Sequence, residues 1–334
     1  MAYDKVVDSA LLDSKLTQVA DAIRTKGNTS ADLQFPSGFI SAIQAIQTGT
    51  ELQIIVTVKS GATVTATKGS MSVSGTSVNG TCTLVVPEVG EWSVKATLGG
   101  QTTSKSVAVT GSYALTLNFL KANFADNDWA SIIAACHSGS VPSSWVAGNS
   151  KTMTINGTSY QVDIIGKNHD TYASGGKAPL TFQMHDCYGE TKNMNSSNTN
   201  SGGWTSCAMR STHLPAILAL MPTEVRNGIR EVNKLTSAGN KSSTINTTAD
   251  KLFLLSEVEI FGSATYSFHG EGTQYDYYKA GNSRVKHVSG SPSNWWARSP
   301  FTNSPIYVCF TNGEGRISYD GPVRSLGVAF GFCF

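Results

Sequence analysis

Trp295-Trp296-Ala297-Arg298-Ser299-Pro300 packs two indole rings, an arginine and a proline into six residues. Such a block reads as scaffold. Trp296 belongs in a core, and Arg298 belongs beside it, donating to backbone carbonyls, because buried N–H groups need acceptors. Trp295 has a second use. An indole ledge next to an arginine can stack against a sugar ring or a peptide, so Trp295 is a candidate contact residue. Outward from this block the chain is Gly-, Ser- and Asn-rich, with short strands expected near 306–310 and 327–334. Upstream, Asp128 and Trp129 open a helix that ends near Ser138-Gly139, and 162–165 reads as a strand. Residues 214–221 and 224–235 look helical, with Pro215 and Pro222 near their starts, where proline is tolerated. Residues 252–255 and 258–261 read as a strand or a strand and turn. Few regular elements carrying long loops form a frame for display, and recognition usually sits on such loops. The unit is placed at 119–334.

Before it, residues 50–118 change character. Leu52, Ile54 and Val56 alternate with Gln53, Ile55 and Thr57, and Val64, Ala66 and Lys68 keep the period of two. Lys59-Ser60-Gly61, Val78-Asn79-Gly80 and Leu98-Gly99-Gly100 are turn clusters. Further strands are expected at 82–86, 92–96, 104–109 and 113–119. Short strands at this spacing make a β-sandwich. Residues 1–49 read as two short helices. Leu11, Leu12, Leu16, Val19, Ala20 and Ile23 form one stripe, with Asp8 or Ser9 as N-cap and Lys26-Gly27-Asn28 as the end. The second helix follows Phe35-Pro36-Ser37-Gly38 and carries Phe39, Ile40, Ile43 and Ile46 on one face. The fold class is therefore mainly β, with an α+β carboxyl-terminal unit and short amino-terminal helices.

Composition narrows the function. Charged residues make up 14% of the 334, the net charge is +2, and no basic run occurs, so phosphate-backbone binding has little support. No segment approaches the roughly 18 apolar residues of a membrane span. MAYDKVVDSALLDSKL is acidic and broken by polar residues, unlike a signal peptide, so a protein working outside the cell is expected to leave by particle assembly or by lysis. Cys82, Cys136, Cys187, Cys207, Cys309 and Cys333 include no CxxC pair and are expected as buried thiols. Gly-x-Ser-x-Gly and His-Glu-x-x-His are absent. His169-Asp170 and His185-Asp186 could suit a divalent cation but are expected to tie loops by hydrogen bonds. No metal and no cofactor are expected, and no enzymatic activity.

Three resemblances add to this. Ala20-Asp21-Ala22-Ile23-Arg24, Phe35-Pro36-Ser37-Gly38-Phe39 and Ala42-Ile43 resemble amino-terminal pieces of tail proteins from phages of Gram-positive and gut bacteria. This implies attachment to other virion tail proteins, or oligomerisation, through 1–49; a plain hairpin packed on its neighbour is the alternative. Glu91-Trp92-Ser93-Val94 and the strand after it resemble bacterial immunoglobulin-like or carboxypeptidase-regulatory-like modules. In the last unit, Ile164-Ile165-Gly166-Lys167-Asn168-His169-Asp170, Ala178-Pro179-Leu180-Thr181-Phe182-Gln183, the 194–204 amide tract, Met209-Arg210, 251–260, Glu271-Gly272-Thr273-Gln274-Tyr275, the Trp295 block and Gly327-Val328-Ala329-Phe330-Gly331-Phe332 occur in order. They resemble a domain of phage and gut-bacterial surface proteins with a C-type-lectin-like, formylglycine-generating-enzyme-like fold. Variable proteins of diversity-generating retroelements, such as the phage major tropism determinant, share that fold. Ala329 and Phe330 stand where such relatives often carry Arg and Pro.

The resemblance implies a host-recognition protein of a phage tail, made in the bacterial cytoplasm and displayed on the virion as a homotrimer. Its partner would be a host cell-surface glycan or protein, with no nucleic acid and no membrane insertion. A virion or baseplate decoration protein and a bacterial surface adhesin are the alternatives. In diversified relatives the variable surface follows the Trp-Trp block, which is 301–324 here. The exposed candidates are Thr302, Asn303, Tyr307, Asn312, Glu314, Arg316, Ser318, Tyr319, Asp320 and Arg324. Tyr and Arg supply anchoring contacts, and Ser and Asn supply adaptable hydrogen bonds. Tyr275, Tyr277 and Tyr278 are read as a secondary exposed contact region, and 193–200 as an amide tract folded inward.

Overall fold

The computed structural model describes residues 9–27, 30–45 and 51–334. The chain divides into two compact units, Met1–Phe119 and Leu120–Phe334. In the first, α1 (Ser9–Gly27) and α2 (Ser37–Ala45) meet through Leu16, Ala20 and Ile23 on one side and Leu33, Phe39 and Ala42 on the other. Ile40 and Ile43 stay exposed, so α2 does not present one apolar face. Phe39 and Ala42 stand one turn apart and take the contact, and the neighbouring row points away. Asp8, Asn28 and Ile46 lie outside the described residues.

Seven strands follow: β1 (Gln53–Thr57), β2 (Thr63–Lys68), β3 (Met71–Thr76), β4 (Thr81–Val85), β5 (Gly90–Leu98), β6 (Gln101–Val109) and β7 (Tyr113–Thr116). They make a sheet β4-β1-β7 and a sheet β3-β2-β5-β6 around one core. Ile54, Val56, Val64, Ala66, Leu84, Trp92 and Val94 point into that core, each one alternating with an outward neighbour. Trp92 is fully buried, and its indole N–H donates to the Glu88 carbonyl at 3.1 Å.

The second unit starts with α3 (Trp129–Ser138), capped by the Asp128 carboxylate on the Ser131 N–H and closed by Gly139 at φ 68°. Then come β8 (Ser150–Ile155), β9 (Thr158–Lys167), β10 (Leu180–Met184), β11 (Tyr188–Asn193), α4 (Gly203–Ser206), α5 (Leu214–Leu220), α6 (Thr223–Gly228), β12 (Val232–Gly239), β13 (Ser242–Asp250) and β14 (Leu252–Phe253). The chain ends with α7 (Glu257–Phe261), α8 (Asp276–Lys279), β15 (Lys286–Val288), β16 (Ser291–Ser293), β17 (Trp295–Pro300), β18 (Val308–Thr311), β19 (Ile317–Asp320), β20 (Ser325–Val328) and β21 (Gly331–Cys333). Two five-stranded sheets carry the unit, β14-β21-β10-β9-β8 and β11-β20-β17-β18-β19. The protein is mainly β, with several sheets and few helices. Strand β21 lies between β14 and β10, and Ala329, Phe330, Phe332 and Phe334 are fully buried.

Two sequence expectations fail here. Residues 232–235 belong to β12, not to a helix continuing from α6. Residues 258–261 belong to α7, not to a strand. Ser256 and Glu259 form a reciprocal capping box that starts the helix, and Gly262 ends it at φ 78°.

Candidate functional site

Trp295 and Trp296 are fully buried on β17. The Trp295 indole N–H donates to the Arg284 carbonyl at 2.9 Å, and that of Trp296 to the Lys192 carbonyl at 2.8 Å. Trp295 is therefore core and cannot be a contact residue. With 0% of the residue exposed, no part of the ring is open to a ligand.

Arg298, also on β17, is 1% exposed and anchors a buried polar network. Its guanidinium pairs with both Glu259 oxygens at 2.5 and 3.0 Å and donates to the carbonyls of Leu235, Leu254 and Glu271. Lys234 bridges Glu259 at 2.7 Å and Asp170 at 2.8 Å. Burial alone would raise the Asp170 carboxyl, but the Lys234 charge and hydrogen bonds from Lys234 and Thr181 hold it at about 2. Glu259 is lowered too, because Arg298 and Lys234 outweigh its burial. Glu271 goes the other way. Burial pushes it up to about 7, although it accepts from the Ser299 hydroxyl and from the Ser237 N–H at 2.8 Å. Tyr275, Tyr277 and Tyr278 are buried as well and are no contact region. The Tyr275 hydroxyl donates to Asp170 at 2.8 Å, and that of Tyr278 to Gln183 at 2.6 Å.

The network reaches Glu257 through Ser299, whose hydroxyl donates to Glu271 and accepts from the Glu257 N–H at 2.9 Å. Glu257 is fully buried, and its carboxylate accepts from the backbone N–H groups of Thr265, Tyr266 and Ser267 at 2.6–3.1 Å. That grip fixes the loop carrying Tyr266, whose carbonyl accepts from the Thr302 N–H at 2.8 Å. From the other side, the Asn200 amide donates to the carbonyls of Ser304 at 2.9 Å and Tyr307 at 2.7 Å, while its oxygen accepts from the Asn240 N–H at 2.8 Å. At Asn200, as expected for the 193–200 tract, an inward amide satisfies loop backbone. Gly203 and Gly239 let α4 and β12 close on that anchor: a Cβ on Gly203 would lie 2.0 Å from the Ser237 carbonyl oxygen, and one on Gly239 would lie 1.8 Å from that of Asn200.

The candidate residues fall into three groups. Phe301, Tyr307 and Tyr319 form an aromatic cluster with Tyr266. Phe301 and Tyr319 stack at 4.1 Å and 16°, Tyr266 meets Tyr319 edge-on at 5.1 Å, and Tyr307 tilts against it at 5.3 Å. Thr302 and Asn303 border this cluster in sequence, half-buried and exposed respectively. Asn312, Glu314 and Arg316 occupy the hairpin between β18 and β19. There the Asn312 oxygen accepts from the N–H groups of Glu314 and Arg316 at 3.0 and 2.9 Å, and Glu314 and Arg316 pair at 3.6 Å. Ser318 and Asp320 point to the opposite face of β19 from Tyr319. Asp320 pairs with Arg324 at 3.4 Å. The ten polar and aromatic candidates thus do not share one face. Tyr266 joins the site from about fifty residues upstream of the Tyr319 strand, and only its aromatic character within a Gly- and Ser-rich loop hints at it.

The paired His and Asp residues make other contacts than a metal needs. His185 bonds Asp163 at 2.7 Å, and His287 bonds Asp186 at 2.8 Å. Among the described residues no group of three or more His, Cys, Asp or Glu side chains is placed to hold a metal. All six cysteines are free and buried. Burial drives the Cys309 and Cys333 thiols well above the ordinary thiol range. No helix among the described residues is long and apolar enough to cross a membrane.

The aromatic cluster and, apart from Asp170, the Arg298 network lie within one stretch that resembles known sequences. Residues 175–331 match the family described as a domain of unknown function, DUF6273. No curated protein matches the chain. The crystal structure of a DUF4876 family protein from Bacteroides thetaiotaomicron is similar over 43% of this chain and 34% of that one, at 7% identity and a TM-score of 0.16. The chain thus spans about a third of that protein's length, and a score so low assigns no common fold.

Proposed function

We propose that the chain is a non-enzymatic binding protein, a phage tail subunit that recognises a host surface molecule through the 301–324 segment. In this reading the second unit is a C-type-lectin-like head and the two-sheet unit an immunoglobulin-like spacer. The helical segment attaches to other tail proteins and gathers three copies. Three copies would raise a weak single-site affinity by effective concentration.

The observation that carries the proposal is the contrast between frame and face. In the second unit, charged groups such as Arg298, Glu259, Lys234 and Glu257 are buried and engaged with partners inside the unit. Within 301–324, Asn303, Glu314, Arg316, Tyr319 and Arg324 are exposed. A rigid frame with outward Tyr, Asn and Arg side chains is the composition of a recognition surface. Thiol chemistry is disfavoured, because a reactive cysteine must ionise and burial opposes that at Cys309 and Cys333.

The test is adsorption of the full chain to a panel of Gram-positive and gut bacterial strains. Replacing Asn303, Tyr307, Arg316 and Tyr319 together by alanine should abolish adsorption. Replacing exposed Thr102 and Lys105 on β6 should not. Adsorption unchanged by the first set would favour a decoration role instead.

A further inference from the structure

Tyr319 is an exposed side chain with a fixed orientation. Phe301 covers one face of its ring in parallel at 4.1 Å, and Tyr266 and Tyr307 press on it at 5.1 and 5.3 Å, yet 39% of the residue remains exposed. A ring already held in one rotamer loses little entropy when something settles on it. Tyr266 is itself fixed, through the Glu257 grip on its loop and through the Thr302 N–H.

Two features restrict what can settle there. The four charged candidates are paired with one another, Glu314 with Arg316 and Asp320 with Arg324, so each cation comes with a carboxylate that disfavours an anionic ligand beside it. The exposed large apolar side chains of 301–324 are Ile306, Tyr319 and Val323. That is little apolar surface beside the roughly 800 Å² per partner of an ordinary protein interface. What remains is the exposed part of the Tyr319 ring, an apolar platform with neutral polar residues beside its partners in sequence. Thr302 and Asn303 follow Phe301, and exposed Thr265 precedes Tyr266. Such a platform matches the C–H face of a neutral pyranose, whose hydroxyls need uncharged donors and acceptors at the rim.

We infer that Tyr319 is the stacking platform for a neutral sugar ring of a glycan, with Phe301 and Tyr266 as positioning residues. The inference rests on the binding reading above and adds the chemical class of the ligand. It extends the site to a loop outside 301–324.

The experiment uses the full chain on an array of neutral and acidic oligosaccharides, and on adsorbing cells treated with periodate or with protease. Periodate cleaves the vicinal diols of sugars and spares most of the polypeptide. The expected result is binding to neutral glycans, with adsorption destroyed by periodate and preserved after protease. Tyr319→Ala should weaken it about tenfold or more, Tyr319→Phe should keep it, and Tyr266→Ala should weaken it too. Near-UV circular dichroism of each variant guards against misfolding, and a misfolded Tyr319→Ala is replaced by Tyr319→Ser. Adsorption that needs Asn303 or Arg316 but survives periodate and falls to protease would overturn the sugar while leaving the binding surface in place. Loss of neither signal on any 301–324 replacement would overturn both.

Discussion

Arg298 shows how a polar residue can hold a core together. Its charge is neutralised by Glu259 and its remaining N–H groups find carbonyls, so the cost of burying it is met by geometry that a lysine could not reproduce. Glu271, beside it, is the group whose charge is least compensated. Its folded carboxyl, at about 7, lies above the ordinary value of 4.5. The sign follows from linkage: the native state favours the protonated acid, so its contribution is full below pH 4.5 and is lost as pH rises toward 7. Unfolding free energies from urea titrations between pH 4.5 and 7.5 should therefore fall more steeply in the native protein than in Glu271→Gln, by on the order of 3 kcal/mol across the range. Parallel pH profiles for the two proteins would show that Glu271 is ionised in both states. Asp170 acts in the opposite sense: its stabilisation is present above the unfolded value of 3.8 and is lost as pH falls toward 2.

At the scale of elements, the aromatic cluster is held by Asn200 as well as by strand β19, which carries Tyr319. The Asn200 NH₂ group serves two carbonyls of the 302–307 loop, which an aspartate could not do. Asn200→Asp should cost about 2 kcal/mol and speed amide exchange in 302–307 without changing exchange in β5. Unchanged exchange in the loop would mean that the Tyr266 side alone holds it. The same scale explains what the sequence reveals and hides. Strand β5 is legible because Trp92, Val94 and Ala96 alternate with Ser93 and Lys95. Strand β12 is hidden because its inward positions are Val232, Lys234 and Thr236, two of them polar, while apolar Leu235 points outward. A buried lysine erases the period of two. Strand β3 is hidden because none of Met71, Val73 or Gly75 is fully buried on that sheet edge. Helix α7 was readable: Ser256-x-x-Glu259 is a capping box, but the alternation of Val258 and Ile260 reads more strongly as strand.

Over the whole molecule, a mainly β chain with little charge buries the ion pairs of Arg298, Glu259, Lys234 and Asp170 inside the second unit and leaves polar, charged and aromatic side chains of 301–324 exposed. The candidate site was half legible. Tyr307 and Tyr319 follow from position in the chain, whereas Trp295 misleads because an indole next to an arginine looks the same in a core as on a ledge. Tyr266 comes from a distant loop, and in the sequence only its aromatic character hints at it until Glu257 is seen gripping its backbone. The central claim is that this end touches a partner. The most direct measurement places a photo-reactive phenylalanine analogue at Asn303 in one sample and at Thr102 in another, with illumination on adsorbing cells. The account predicts a covalent adduct with a cell-surface component from position 303 and none from position 102; adducts from 102 alone, or equal yields from both, would contradict it.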